Sequence, residues 1–300
     1  MESVQYYSNT GFDRAPHMRE GRNGATLYHA VCLWQGKFFF STSGTPYITG
    51  TIVQLTAFTE FFFLGMEDDR EIICLDLSRR KPEEILPWLG EGDFLDLRHV
   101  VHDIDRKEAA ILAYAKALAE WNANHVFCGV CGSRTESRER GHHRICTDKT
   151  CAKIIYPRID PAVIVLVEYR VGNDGPRCLL NRVKTGDSYR CSTFAGFVEV
   201  GESLENAVIR EMKEEINVDV ESMTYVSSQP WPFPSSVMIG FRATVSSPEF
   251  QVDNVEIKDA AWYSAKEIKE LVASGKLELS RSDSIARFLI ESWVADNLSL

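Results

Sequence analysis

Two groups of side chains in this 300-residue chain have the type and spacing to do chemistry. The first lies in residues 196–218, where Glu202, Glu211, Glu214 and Glu215 surround Arg210. Ser203 is a good helix N-cap, and Leu204, Ala207, Val208 and Met212 form an apolar stripe through a helix expected to end near Ile216. On that helix Glu211, Glu214 and Glu215 are i,i+3 and i,i+4 neighbours, so their carboxylates leave from one face. Like charges at this spacing repel unless cations intervene. Hard carboxylate oxygens suit Mg²⁺ or Mn²⁺, ions that also bind phosphate oxygens. Glu202, just ahead of the helix, is placed to join the group, and Arg210 to hold a glutamate in its working rotamer. Three glutamates alone would read as a solvated acidic face.

The second group is Cys128-x2-Cys131, fourteen intervening residues, then Cys146-x4-Cys151. Two such knuckles offer four thiolates to one tetrahedral ion, for which Zn²⁺ is the expected occupant, with a structural role because no coordination position is left for water. Gly129 and Gly132 let backbone amides turn toward the sulfurs. His142 or His143 replacing one thiolate is an alternative ligand set. Arg134, Arg138, Arg140, Arg144, Lys149 and Lys153 make the same segment locally basic, which leaves an RNA-contacting role open.

These groups need scaffolds. The run Ala162-Val163-Ile164-Val165-Leu166-Val167 reads as a buried strand, a turn follows at residues 172–175, and Cys178-Leu179-Leu180 returns. Upstream, Asp105 caps a helix running to Trp121, with Glu108 three residues on. The first hundred residues carry aromatic strand-like runs at Lys37-Phe38-Phe39-Phe40 and at residues 58–63, the latter followed by a turn-prone Gly65-Met66-Glu67-Asp68-Asp69. They read as mostly β.

Composition bounds the function. With 44% hydrophobic and 25% charged residues the chain is globular, and its length predicts about two domains with room for a small module. A net charge of −10, from 43 acids against 33 bases, argues against passive duplex binding, although a basic pocket can hide within such a total. No window approaches a membrane span, and the N-terminus lacks a signal core. Four clustered and four scattered cysteines suit a metal site plus reduced thiols, so the expectation is a cytoplasmic protein with no membrane partner. The ending Leu298-Ser299-Leu300 only loosely resembles a peroxisomal address.

The frame Gly196-x5-Glu202-x7-Arg210-Glu211-Met212-x-Glu214-Glu215 resembles the Nudix box of hydrolases that cleave nucleoside diphosphates linked to another moiety. Asn217 stands where that family has glycine, and asparagine is the next best left-handed C-cap. The array Ser228-Gln229-Pro230-Trp231-Pro232-Phe233-Pro234-Ser235-Ser236 resembles the motif of NADH pyrophosphatases within the superfamily, and its stiff prolines present flat rings for stacking. Phe12-Asp13-Arg14-Ala15-x-His17-x-Arg19 is similar to the N-terminal extension of longer members.

The resemblance implies an α/β protein: a Nudix α/β/α sandwich at residues 159–300, preceded by a zinc ribbon at 126–158 and an N-terminal mixed α/β domain at 1–125. It implies hydrolysis of NADH or NAD⁺ to a nicotinamide mononucleotide and AMP, with removal of NAD caps from RNA as a further activity and a homodimer as the assembly. Metal ligands would be Glu211, Glu214, Glu215, Glu256 and the Ala195 carbonyl, with Glu215 the first choice for the essential residue. Substrate contacts would come from Arg98, Tyr156, Ala286 and residues 229–236, whereas Gly141 occupies the place of a substrate-contacting glutamate. Alternatives are a Nudix hydrolase of ADP-ribose or nucleotide sugars, or a catalytically silent nucleotide- or RNA-binding protein.

Overall fold

The computed structural model describes residues 6–8, 12–20, 27–51, 60–170 and 175–298, which fall into two units. The first holds residues 6–159 together with 231–235, and the second holds 160–230 and 236–298. The turn expected at residues 172–175 lies outside the described residues except for Gly175, as do Phe58 and the last two residues of the chain.

In the first unit the strands are β1 (Leu27–Trp34), β2 (Lys37–Ser41), β3 (Tyr47–Thr51), β4 (Phe61–Glu67) and β5 (Arg70–Asp76). After helix α1 (Pro82–Leu89) come β6 (Gly92–Leu95), a single turn α2 (Leu97–Val100) and the long helix α3 (Arg106–Asn124). The sheet order is β4-β5-β1-β2-β6, with β3 also on β1. Alternation along β1 explains the layering. Val31 and Leu33 enter a core with Ala109, Leu112 and Trp121 of α3. Tyr28, Ala30 and Cys32 face the other way, toward Ile85 and Leu89 of α1. A strand buried on both faces needs a continuous apolar run, as Ala30-Val31-Cys32-Leu33-Trp34 provides.

The described part of the first hundred residues is mostly β, as read, and α1 together with α3 from beyond it covers the two faces of the sheet. The turn expected at 65–69 is shorter than read. β4 continues to Glu67 through a register shift at Phe63/Gly65, because Gly65 lets the Asp13 carbonyl come within 2.3 Å of where a Cβ would stand, and only Asp68-Asp69 turn. The Asp105 cap is as expected, its carboxylate accepting from the Glu108 amide at 2.8 Å. Strands β7 (Thr135–Arg138), β8 (His143–Cys146) and β9 (Ile154–Ile155) then form a small antiparallel sheet around the cysteines.

The second unit runs β10 (Asp160–Tyr169), β11 (Arg177–Thr185), β12 (Ser188–Ser192), β13 (Phe194–Phe197), α4 (Leu204–Ile216), β14 (Val220–Trp231) and β15 (Ser236–Val245). It closes with β16 (Ala260–Ser264), α5 (Ala265–Ala273), β17 (Leu277–Leu279) and α6 (Ile285–Asn297). Here too the central strand alternates. Val163, Val165 and Val167 pack with Ala207, Val208, Met212 and Ile216 of α4. Ile164 and Leu166 pack with Ile268 of α5 and Leu289, Ile290 and Trp293 of α6. The result is the expected α/β/α sandwich. Truncating a fully buried anchor such as Met212 would cost about 2–5 kcal/mol.

The two sheets share one pairing scheme. β1 pairs antiparallel with β2 and β3 and parallel with β5, as β10 does with β11, β13 and β15. β4 joins β5 as β14 joins β15, and β6 joins β2 as β16 joins β11. The acidic helix α4, which follows β13, belongs to the second unit alone among the described residues.

Candidate active site

Local sequence fixes helix α4 at both ends. Ser203 caps its start by accepting from the Asn206 amide at 3.2 Å. Asn217 ends it in the left-handed conformation (φ 52°), its amide donating to the Lys213 carbonyl at 3.1 Å, which is the role foreseen for it. The buried face carries Ala207, Val208, Met212 and Ile216, and also the carboxylates of Glu211 and Glu215. Glu214 stays exposed, so the three acids are not equivalent as their spacing implied.

Arg210 does more than hold one glutamate. Its Nε and Nη2 donate to both oxygens of Glu202 at 2.6 and 3.0 Å, and its Nη1 donates to Glu211 at 2.8 Å and to Glu214 at 3.0 Å. Nη2 also donates to the Phe197 carbonyl at 2.8 Å, tying the helix to the end of β13. This guanidinium holds the Glu202 carboxyl down at about 2, helped by a bond from the Glu199 amide. Arg210 itself is pushed above its ordinary value by Glu202.

Glu211 and Glu215 differ in partnering. The Glu211 carboxyl lies against Gly196 of β13, where a Cβ would meet its Cδ at 1.9 Å. Glycine here is a requirement of close approach rather than of backbone torsion. Glu215 is buried, and its Oε2 has no hydrogen-bond partner. Burial pushes its carboxyl up to about 8, reinforced by the charges of Glu211, Glu256, Asp253 and Glu214. A buried carboxylate with no donor and only acids around it is costly unless a cation is held there. The donor types therefore suit a divalent cation, although among the described residues no three of these carboxylates lie within 4.8 Å of one another.

Glu256 is exposed on a loop from which its charge acts on Glu215. The Asp253 amide donates to the Glu215 carbonyl at 3.0 Å and the Gln251 amide to the Ile216 carbonyl at 2.9 Å, anchoring the loop to the end of α4. The Asp253 carboxylate then accepts from the Glu256 and Ile257 amides at 3.0 and 2.9 Å. Asp253 is thus a positioning residue that was missed; its signal was an acid three residues before Glu256, the spacing of a capping turn. Ala195 stands exposed on β13, next to Gly196 and paired with Ile164.

The Pro-aromatic array is divided. Gln229 is fully buried; its Nε2 donates to the Asp283 carbonyl at 2.7 Å and its Oε1 accepts from the Ile285 amide at 2.8 Å. Its amide joins β14 to the start of α6. Ala286, next along, is buried against the sheet, whereas Pro230 is exposed and Ser236 half-buried. In the other unit, Trp231 and Phe233 meet edge to face at 5.2 Å, and Tyr7 packs on both. Pro232 is buried, Ser235 half-buried and Pro234 exposed. The structure brings Arg98 to this cluster, its guanidinium 4.6 Å from the centre of the Phe233 ring.

Tyr156 is 68% exposed, with the ring of His143 6.0 Å away. Gly141 cannot become the family's glutamate without rearrangement. Its φ is +105°, and a Cβ would lie 2.5 Å from the Phe62 ring.

Among the described residues, the sulfurs of Cys128, Cys131, Cys146 and Cys151 are the one group of three or more potential ligands that all lie within 4.8 Å of one another. Backbone amides, Val130 among them, turn toward Cys128 as the flanking glycines allowed, and they lower the Cys128 thiol. Amide and hydroxyl of Ser133 do the same for Cys131, bringing it to about 6. Cys146 goes the other way, pushed up to about 12 by burial, and Cys151 is raised as well, so it is the convergence of four sulfurs that fits a tetrahedral zinc ion. The histidine alternative is corrected: the His142 Nε2 faces the Phe63 carbonyl at 2.7 Å, and His143 lies beside Glu139.

The family model described as NUDIX domain matches residues 159–286, that of the NADH pyrophosphatase zinc ribbon domain matches 123–156, and that of the NADH pyrophosphatase-like rudimentary NUDIX domain matches 28–121. The chain is 35% identical over 235 residues to the NAD-capped RNA hydrolase NudC of Pseudomonas fluorescens, covering 78% of each chain. It is 39% identical over 268 residues to the NAD-capped RNA hydrolase NUDT12 of Macaca fascicularis, covering 79% of this chain and 57% of that protein. It is also 39% identical over 208 residues to the mitochondrial NAD(P)H pyrophosphatase NUDT13 of Homo sapiens, covering 68% and 56%. The chain therefore spans little more than half the length of these two mammalian relatives.

Proposed function

Since the chain belongs to the Nudix hydrolase family, in the group that carries a rudimentary N-terminal Nudix domain and a zinc ribbon, we propose that it hydrolyses the diphosphate of NADH or NAD⁺ to a nicotinamide mononucleotide and AMP. The same cleavage would remove NAD caps from RNA 5′ ends. The observation that carries the reading is Glu215: a buried carboxylate without a donor, ringed by acids, on a helix whose flanking Arg210 holds Glu202, Glu211 and Glu214 in place.

Glu211, Glu214, Glu215 and Glu256, with the Ala195 carbonyl, would hold Mg²⁺ or Mn²⁺; such an ion neutralises the diphosphate and makes water a better nucleophile. The chain's own contribution is to hold these oxygens in register. Gly196 leaves room for Glu211, Arg210 keeps Glu202 ionised, and Asp253 fixes the Glu256 loop. Recognition of the nicotinamide or adenine moiety is assigned to Tyr156, Trp231, Phe233 and Arg98, with Gln229 as support. The names of the relatives that match along most of this chain support this substrate class over ADP-ribose or nucleotide sugars.

The cysteines would hold a structural Zn²⁺ in a homodimeric, cytoplasmic enzyme. No helix among the described residues is long and apolar enough to cross a membrane. Replacing Glu215 with Gln tests the assignment. Turnover of NADH should fall by roughly 10²–10⁴ with the fold retained, the scale of losing a positioned acid-base group. A folded variant with native turnover would remove Glu215 from the reaction.

A further inference from the structure

The basic segment of the ribbon, which the hydrolytic reading leaves unused, forms one wall of a groove. About 710 Å³ in volume, the groove lies wholly within the first unit, between the end of α3, the start of β4 and the β7–β8 hairpin. Its charged lining is Arg79, Arg134, Arg140 and Arg144 against the single carboxylate of Glu60. Arg79 pairs with Glu60 at 2.6 Å, and Arg140 pairs with Glu71 behind the wall.

Two guanidiniums are left without a carboxylate. Arg144 donates only to neutral groups, the Thr135 hydroxyl and carbonyl and the Asn122 amide oxygen, at 2.7, 3.0 and 3.1 Å. Arg134 lies 5.5 Å from the centre of the Phe127 ring. Arg140 keeps a buried Nη1 with no acceptor. In a chain of net charge −10, this is a local excess of cation with an unsatisfied donor in its wall.

Phe127 lines the same groove and is 56% exposed. A large ring left in solvent beside arginines that carry no ion pair is the combination that holds single-stranded nucleic acid: guanidiniums take phosphates while the ring takes a base face. A duplex offers no unstacked base to such a ring. A simple anion would use the arginines and leave Phe127 unexplained.

We propose that this groove binds single-stranded RNA, with Arg134 and Arg144 on backbone phosphates and a base stacked on Phe127. As a seat for the body of a capped transcript the inference rests on the function proposed above; as a binding site it stands on the groove alone.

The test uses the full chain and a fluorescein-labelled, uncapped single-stranded RNA of about 12 nucleotides, a length within the range of single-strand binding sites. Binding is followed by fluorescence anisotropy over a range of salt concentrations. Phe127→Ala should weaken binding by about 5- to 100-fold, the worth of one stacked base. Arg134→Gln should weaken it and lower the slope of log affinity against log salt by roughly 0.7, one phosphate contact on a single strand. Both residues are exposed at the surface, and zinc content reports that the ribbon is intact. Arg79→Glu, on the opposite wall, gives an independent reading with the same expected direction.

NADH turnover should be unchanged in all three variants. The inference is overturned if the native chain does not bind the RNA, or if folded variants bind it as the native chain does. Native binding of duplex that Phe127→Ala leaves intact would equally overturn the stacking assignment. Failure of NADH hydrolysis with groove-dependent RNA binding retained would instead count against the substrate proposal and leave the groove standing.

Discussion

Gly196→Ala separates what the active site needs from what the fold needs. A Cβ at this position would stand 1.9 Å from the Glu211 Cδ and 2.0 and 2.2 Å from its two oxygens. Ordinary contact begins near 3.5 Å, so the carboxyl must retreat by about 1.5 Å. The obstructing atoms are the end of a flexible side chain, not backbone, and a displaced rotamer costs only about 0.5–1.5 kcal/mol. Stability should fall by about that much, a melting-temperature change of a few degrees. Activity should fall far more, because misplacing a reacting group by about 1 Å costs on the order of 10²-fold, and the 2.8 Å bond from Arg210 to Glu211 is lost with it. Calorimetry beside steady-state NADH hydrolysis makes the comparison. Native turnover in a folded Gly196→Ala variant would refute the placement of Glu211 in the site; a collapse of stability matching the loss of turnover would refute the separation.

Glu215 also predicts a pH dependence. Its carboxyl is raised to about 8 in the folded chain, so folding favours the protonated form; the stabilisation is present below about pH 4.5 and is lost as pH rises toward about 8. Without divalent ions the melting temperature should therefore decline across that interval by a component that Glu215→Gln removes; an identical pH profile in the variant would contradict it. Cys131→Ser should abolish stoichiometric zinc and destabilise the β7–β9 sheet, whereas retained metal, measured by atomic emission, would contradict a four-thiolate cage. Trp231→Ala should raise KM for NADH more than it lowers kcat, and unchanged kinetics would remove Trp231 from substrate recognition.

What was legible in the sequence was whatever depends on neighbours along the chain. The Ser203 and Asn217 caps, the Asp105 cap and the two cysteine knuckles are local, and each appears in the structure where residue type and spacing put it. The run from Ala162 to Val167 declared itself a buried strand, and the structure buries it on two faces, whereas the sandwich was expected from the family resemblance. Long-range packing was not legible. Nothing in Ser228-Gln229-Pro230 indicates that the Gln229 amide is consumed by residues 283 and 285, more than fifty positions away. Nor does the Pro-aromatic array announce that Tyr7 packs against Trp231 and Phe233. Turn chemistry misled at Gly65, where glycine admits the Asp13 carbonyl rather than ending the strand. In the acidic helix, spacing gave three acids one face, while burial divided them into Glu211 and Glu215 inside and Glu214 outside.

The most direct test of the central claim is product analysis by mass spectrometry after incubating the full chain with NADH, NAD⁺ and ADP-ribose in competition, in the presence of Mg²⁺ or Mn²⁺. The account predicts AMP and nicotinamide mononucleotide, reduced when NADH is the source, formed ahead of any loss of ADP-ribose. Consumption of ADP-ribose first, or of no substrate at all, would contradict it.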